Sequence, residues 1–252
     1  MSSDQIQGSP QLNTQSLPEI LETLYRECPT LPPDYVRNIL GLSGETAEKV
    51  DRITGGIHRD EAELVAQVVA QENPEVTLEI GLGHGFSALT ICLTAAQNGK
   101  EHKHFVIDPH QTIAWQGRGM EHLRRAGVSD RVTLIEDLSC RALPQLEQQS
   151  LVCDFVFIDG WHTFDFVFAD AFHSDRLLRP GGIMMFDDAD WPSIRPVLRY
   201  FVTNLNYAVV ATLPEKCEQT ETDRYLGLSG SCIALRKPIL PDTREIFFHE
   251  SF

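Results

Sequence analysis

The stretch Leu78-Glu79-Ile80-Gly81-Leu82-Gly83-His84-Gly85-Phe86-Ser87-Ala88 decides how the rest of the chain is read. A short apolar run enters three glycines at alternate positions, and a helical pattern follows without a gap. Glycines crowded at a strand-to-helix turn let the backbone approach a ligand, and the first helical turn offers free N–H groups beside it. A dinucleotide fingerprint would need G-x-G-x-x-G, but the position of its last glycine holds Phe86. The spacing here is G-x-G-x-G, with Glu79 two residues ahead of the first glycine. A turn of this composition can also serve only to pack a helix on a sheet.

Outward from this turn, strand and helix patterns alternate. The expected strands are Val76 to Ile80, His104 to Ile107, Val132 to Ile135, Cys153 to Ile158 and Ile183 to Phe186. The expected helices between them run from Ser87 to Ala96, Ile113 to Arg125 and Arg141 to Glu147, with a fourth whose buried side carries Phe164, Phe168, Ala171 and Phe172. Continuous apolar strands separated by helices predict a parallel sheet covered on both faces. After a helix around Ser193 to Asn204, the segments Ala208 to Thr212 and Ser231 to Leu235 suit an antiparallel hairpin closing the sheet. The fold class is therefore α/β, a doubly wound, mostly parallel sheet of seven strands. A helix from about Asp60 to Gln71 precedes it, ended by Asn73-Pro74. Residues 19–58 read as a small helical cap, 1–18 as a Ser/Gln/Asn-rich disordered tail, and 59–252 as the main domain.

The bulk properties narrow the function. With 252 residues, 42% of them hydrophobic and 23% charged, the chain can bury a sizeable core. A formal net charge of -15 and no basic stripe argue against nucleic acid as a partner. Cys28, Cys92, Cys140, Cys153, Cys217 and Cys232 are dispersed, without a C-x-x-C pair or zinc-like spacing. With neither a signal-like start nor an apolar run of membrane length, the expectation is a reduced, cytoplasmic, soluble protein with no membrane partner.

Ligands of doubly wound sheets bind beyond the carboxyl ends of the strands, so the strand ends hold the candidates. Strand two ends in Ile107-Asp108-Pro109, where a carboxylate can accept hydrogen bonds from both hydroxyls of a ribose, or cap a helix. Strand three leads into Ser139-Cys140, and Ser139 could equally be a helix cap. Strand four ends in Ile158-Asp159-Gly160-Trp161-His162, and strand five in Phe186-Asp187-Asp188-Ala189-Asp190. Adjacent strands that both end in carboxylates crowd negative charge, which a hard divalent cation with oxygen ligands would relieve.

These motifs together resemble the class I S-adenosylmethionine (SAM)-dependent methyltransferases. The layout "FIDGWH … LLRPGGIMMFDD" is similar to the metal-dependent small-molecule O-methyltransferases, of the catechol type and, closer still, of the macrocin and mycinamicin sugar-modifying group. The resemblance spans roughly Asp60 to Arg236. It implies a cofactor site of Glu79 near the methionine amino group, Gly81, Gly83 and Gly85 under the cofactor, Ser87, Asp108 on the ribose, Ser139 and Cys140 at the adenine, and Asp159. It implies Mg²⁺ on Asp159, Asp187 and Asp188, with His162 as general base and a small-molecule hydroxyl as acceptor. Homo-oligomers built through N-terminal helices are implied as well. A metal-independent transferase and a non-catalytic SAM-binding scaffold stay open as alternatives. The resemblance does not extend to the N-terminal residues or to the Glu215 to Gly230 loop, which should shape the acceptor pocket.

Overall fold

The computed structural model describes residues 15–27, 56–97, 99–213 and 220–252. The tail over 1–14 and most of the expected cap, residues 28–55, lie outside these. The elements in chain order are α1 (Leu17–Glu27), α2 (Arg59–Glu72), β1 (Val76–Ile80), α3 (Phe86–Gln97), β2 (Lys103–Ile107), α4 (Arg118–Arg125), β3 (Val132–Ile135), α5 (Ser139–Gln148), β4 (Cys153–Ile158), α6 (Phe164–Leu177), β5 (Leu178–Phe186), α7 (Arg195–Leu205), β6 (Ala208–Leu213), α8 (Glu221–Leu226) and β7 (Cys232–Arg236).

The seven strands form one sheet in the order β3-β2-β1-β4-β5-β7-β6. The first five are parallel, and β7 pairs antiparallel with both β5 and β6. The central strands β1 and β4 and the end of β5 are buried on both faces, whereas the edge strands β3 and β6 are only partly buried. Phe155, Phe157, Ile183 and Met185 face a core shared with α1 to α4, while Val156, Ile158, Met184 and Phe186 face one shared with α5 to α7. Of the N-terminal cap, α1 lays Ile20, Leu21 and Leu24 into the first core. Its Glu27 pairs with buried Arg125 at 2.6 Å. Winding reverses between β1 and β4, so a crevice opens at their carboxyl ends, where α/β sheets bind ligands.

Three expectations need correction. The helix expected from Ile113 begins only at Arg118, because Gln116 and Gly117 take left-handed backbone (φ 56° and 70°) and Ile113 is exposed. In α6 the buried side is Val167, Asp170, Ala171, Ser174 and Leu177, whereas Phe164 and Phe172 lie outside. Small residues let α6 approach its neighbours closely, and that contact outweighed aromatic hydrophobicity. The polar stretch before β7 also contains an unforeseen helix, α8, capped by the Thr220 hydroxyl accepting from Asp223 N–H.

Candidate active site

The glycine turn is shaped first by its neighbours. Gly81 has φ 94°, and a Cβ there would lie 2.0 Å from the Asp159 carbonyl oxygen, so only glycine lets β1 and β4 end side by side. Gly83 and Gly85 are also left-handed, at φ 51° and 80°. Asp108 closes the turn: one carboxylate oxygen accepts from the Leu82 and Gly83 N–H groups and from Gln111 Nε2 at 3.2, 2.9 and 3.0 Å. Its other oxygen, Oδ1, accepts from His110 N–H at 2.8 Å.

Glu79 is wholly buried, and neither of its oxygens faces open space. One accepts from the Ser87 hydroxyl and the other lies 2.8 Å from His104 Nε2. His104 Nδ1 meets Thr77 Oγ1 at 2.8 Å, and that oxygen meets His102 Nε2 at 2.9 Å. The alternation of β1 puts Thr77 and Glu79 on one face, and the β1–β2 register sets Thr77 beside His104. Glu79 and Ser87 thus bind each other and fasten the turn to α3 and β2.

Beyond β4 and β5 the pairing is poorer. Asp159, His162 and Asp188 each point a ligand atom inward, all within 4.8 Å of one another. His162 Nε2 stands 3.3 Å from Asp159 Oδ1 and 3.2 Å from Asp188 Oδ2, close enough to form ion pairs but without hydrogen-bond alignment. Burial alone would lower the His162 pKa, but the carboxylates of Asp159 and Asp188 outweigh it and raise the value. Asp188 adopts φ 46°, rare for a residue with a side chain, and this turns its carboxylate toward the histidine. Burial, with Asp159, Glu61 and Asp190 adding repulsion, holds its carboxyl at about 7 against the pull of His162. Asp187 is buried deeper, and its Oδ1 has no partner among the described residues. Burial and the charges of Asp159 and Glu61 push its carboxyl well above the usual range. The Trp191 ring lies 5.1 Å from that of His162 and is partly exposed, placing it at the rim.

Ser139 is the first residue of α5 and not its cap, since the cap position is Leu138 and no side chain caps the helix. It is buried, and Cys140 beside it is exposed.

Over 86% of this chain and all of the other, the structure superposes on an O-methyltransferase from Bacillus cereus solved in complex with S-adenosylhomocysteine (SAH), with a TM-score of 0.57 at 16% identity. This is the class I methyltransferase fold. Residues 78–189 match the family described as a methyltransferase domain. The chain is 31% identical over 139 residues to tapetum-specific methyltransferase 1 of Arabidopsis thaliana, covering 54% of this chain and 56% of that one. It is 26% identical over 183 residues to a caffeoyl-CoA O-methyltransferase of Populus kitakamiensis, covering 69% and 72%. The chain thus spans about half the length of the first curated relatives it matches. Among the described residues, no helix is long and apolar enough to cross a membrane.

Three residues of this methyltransferase fold escaped the sequence reading. His104, in β2, was signalled by His102 two residues earlier, just ahead of the strand. Glu61, from α2, is buried and accepts from His58 N–H at 2.6 Å and the Ser231 hydroxyl at 3.2 Å, adding a carboxylate behind Asp187. Asp170 shares the helical stripe of Ala171 and Ser174 and was hidden by the stronger aromatic signal nearby.

Proposed function

We propose that this protein moves the methyl group of SAM to a hydroxyl of a small molecule with the help of a divalent ion. The observation that carries the proposal is the convergence of Asp159, His162 and Asp188 at the reversal point of the sheet, against the glycine turn.

Crowded carboxylates with an unpartnered buried oxygen on Asp187 suit a cation. Asp159 and Asp188 would hold it, and the unpartnered oxygen of Asp187 would be a further candidate ligand. Bound there, Mg²⁺ would lower the pKa of an acceptor hydroxyl and help fix its place. The rest falls to the chain. Gly83, Gly85 and the start of α3 form the floor for the methionine end of the cofactor, and Asp108 Oδ1 retains a lone pair for a ribose hydroxyl. Ser139 and Cys140 border the adenine.

Transfer is an in-line displacement in which the acceptor oxygen bonds to the methyl carbon as the carbon–sulfur bond breaks, so alignment is the main demand. His162 takes the hydroxyl proton on Nε2, which it can do once its attraction to the two carboxylates is relieved and the ring is neutral. SAH leaves as the second product. The strongly acidic surface speaks against a nucleic-acid acceptor.

One feature favours a metal-free variant of the same reaction: a protonated His162 between Asp159 and Asp188 already supplies one positive charge. A calorimetric Mg²⁺ titration into chelator-stripped, SAH-saturated protein separates the two readings. One saturable site per chain, lost in Asp159→Asn, is the expected result. Bound SAH with no heat from Mg²⁺ or Mn²⁺ would leave the metal-free reading.

A further inference from the structure

The aromatic residues of α6 that the core does not use form a surface of their own. Phe164 and Phe172 are close to half exposed, and Phe168 between them is half-buried. Spaced four residues apart, the three make one stripe along the outer side of the helix. The Phe164 and Phe168 rings lie 5.8 Å apart. Beside the stripe, Phe168 meets Tyr200 of α7 at 5.3 Å, and Tyr200 meets Phe252 at 5.4 Å. Phe252 is again exposed, so the patch continues across three segments of the chain. Scattered apolar residues at a surface need no explanation, but a contiguous aromatic patch marks a contact site.

The charges on the same face say what it contacts. At 3.6 residues per turn, Asp165 and Arg176 fall on the side of α6 that carries Phe168 and Phe172, and both are exposed. Asp165 stands at one end of the stripe and Arg176 at the other, about 16 Å apart along the axis and too far to pair within one helix. Asp165 Oδ1 accepts from the Thr163 hydroxyl at 2.6 Å, which leaves Oδ2 for another donor. Arg176 turns Nε and Nη2 toward Glu147, and its guanidinium has further donors to give. A face that is acidic at one end and basic at the other is its own complement when a second copy lies antiparallel on it. Asp165 of each copy then meets Arg176 of the other, and Phe168 and Phe172 of both copies meet between those pairs.

We infer that the outer face of α6 is a self-association surface, on which two copies of this chain pair antiparallel through the phenylalanine stripe, with Asp165 and Arg176 setting the register. The helix packs on the opposite face of the sheet from α1, so this surface differs from the N-terminal helices through which assembly was expected. It holds whatever reaction the cleft performs.

Sedimentation velocity on the full chain is the test, with near-ultraviolet circular dichroism reporting the fold. Wild type should dimerise at tens of micromolar chain, as suits a small interface, and Phe172→Glu should be monomeric there. Phe172→Ser serves if the glutamate variant folds poorly. Asp165→Arg and Arg176→Glu each set like charges together at both ends of the pair, and each alone should weaken the dimer by roughly tenfold or more. Mixed in equal amounts, these two variants can form a pair in which both ends attract. The mixture should therefore recover dimer to within about threefold of wild type. Wild type that stays monomeric would overturn the inference, as would a dimer that the Phe172 variants leave intact. Charge reversals that leave the dimer unchanged, or that weaken it without recovery on mixing, would overturn the antiparallel register and the inference with it.

Discussion

Two groups of polar side chains lie near the end of β1, the first buried and the second half-buried apart from Asp187, and they are built in opposite ways. In the first, Ser87 and His104 satisfy both oxygens of Glu79, and Thr77 links His104 to His102, whose Nδ1 alone in this group lacks a partner among the described residues. In the second, Asp159, Asp187 and Asp188 crowd together with one imidazole, an unpartnered oxygen and a left-handed backbone at Asp188. Asp170, also short of a partner, stands nearby under Gly160. A core tolerates polar groups when each donor meets an acceptor, and such a network makes one arrangement rigid. A cluster left short of partners lowers stability and is kept where something else completes it. The first group therefore reads as scaffold and the second as working surface.

Single substitutions can break this contrast. The largest effect should come from His162→Ala, which is expected to cut methyl transfer by roughly 10²–10⁴-fold while SAH affinity stays within about twofold. Normal turnover in that variant would remove His162 from the chemistry. In the scaffold group, His104→Ala leaves one oxygen of buried Glu79 without its partner and should lower unfolding free energy by about 3–5 kcal/mol, measured by urea denaturation. A loss below about 1 kcal/mol would show that the network is not what holds the turn.

Asp170→Asn should move stability the other way. The folded carboxyl titrates at about 6 against an ordinary 3.8, so the native state keeps its proton longer than the unfolded chain. Stability contributed by the protonated form is present at low pH and lost as pH rises between those values. The asparagine variant escapes that loss, and should be more stable by about 1–3 kcal/mol above pH ~6 and no different below pH ~4.

His102 gives the mirror image. Burial lowers its pKa from 6.5 to about 4, so the unfolded chain takes up the proton first and stability falls as pH drops through that window. Replacing His102 with Gln should flatten the acid limb by about 1–2 kcal/mol. The smallest effect is expected at the exposed Asp137–Arg141 pair on the surface, where Asp137→Asn should change stability by less than about 0.5 kcal/mol.

How much of this was legible beforehand follows from what each residue depends on. The spans of β1, β3 and β4 could be read directly, since short runs rich in apolar and β-branched residues between turn signals mark strands. Asp159 and Asp188 could be placed together because parallel strands bring their carboxyl ends to one edge. The facing of α6 could not. Its aromatics suggested one side, and the packed layer chose the side with Asp170, Ala171 and Ser174. The bond between Glu79 and His104 was out of reach for a related reason: the two are far apart in sequence, and the β1–β2 register brings them together.

By itself, then, the sequence determined the order of strands and helices, the glycine turn and the acidic strand ends, because these depend on local periodicity and on residues close in the chain. Only the tertiary structure decided which buried polar groups would be satisfied. Whether a carboxylate finds a donor depends on side chains distant in sequence, and close packing fixes those meetings only when the layers come together.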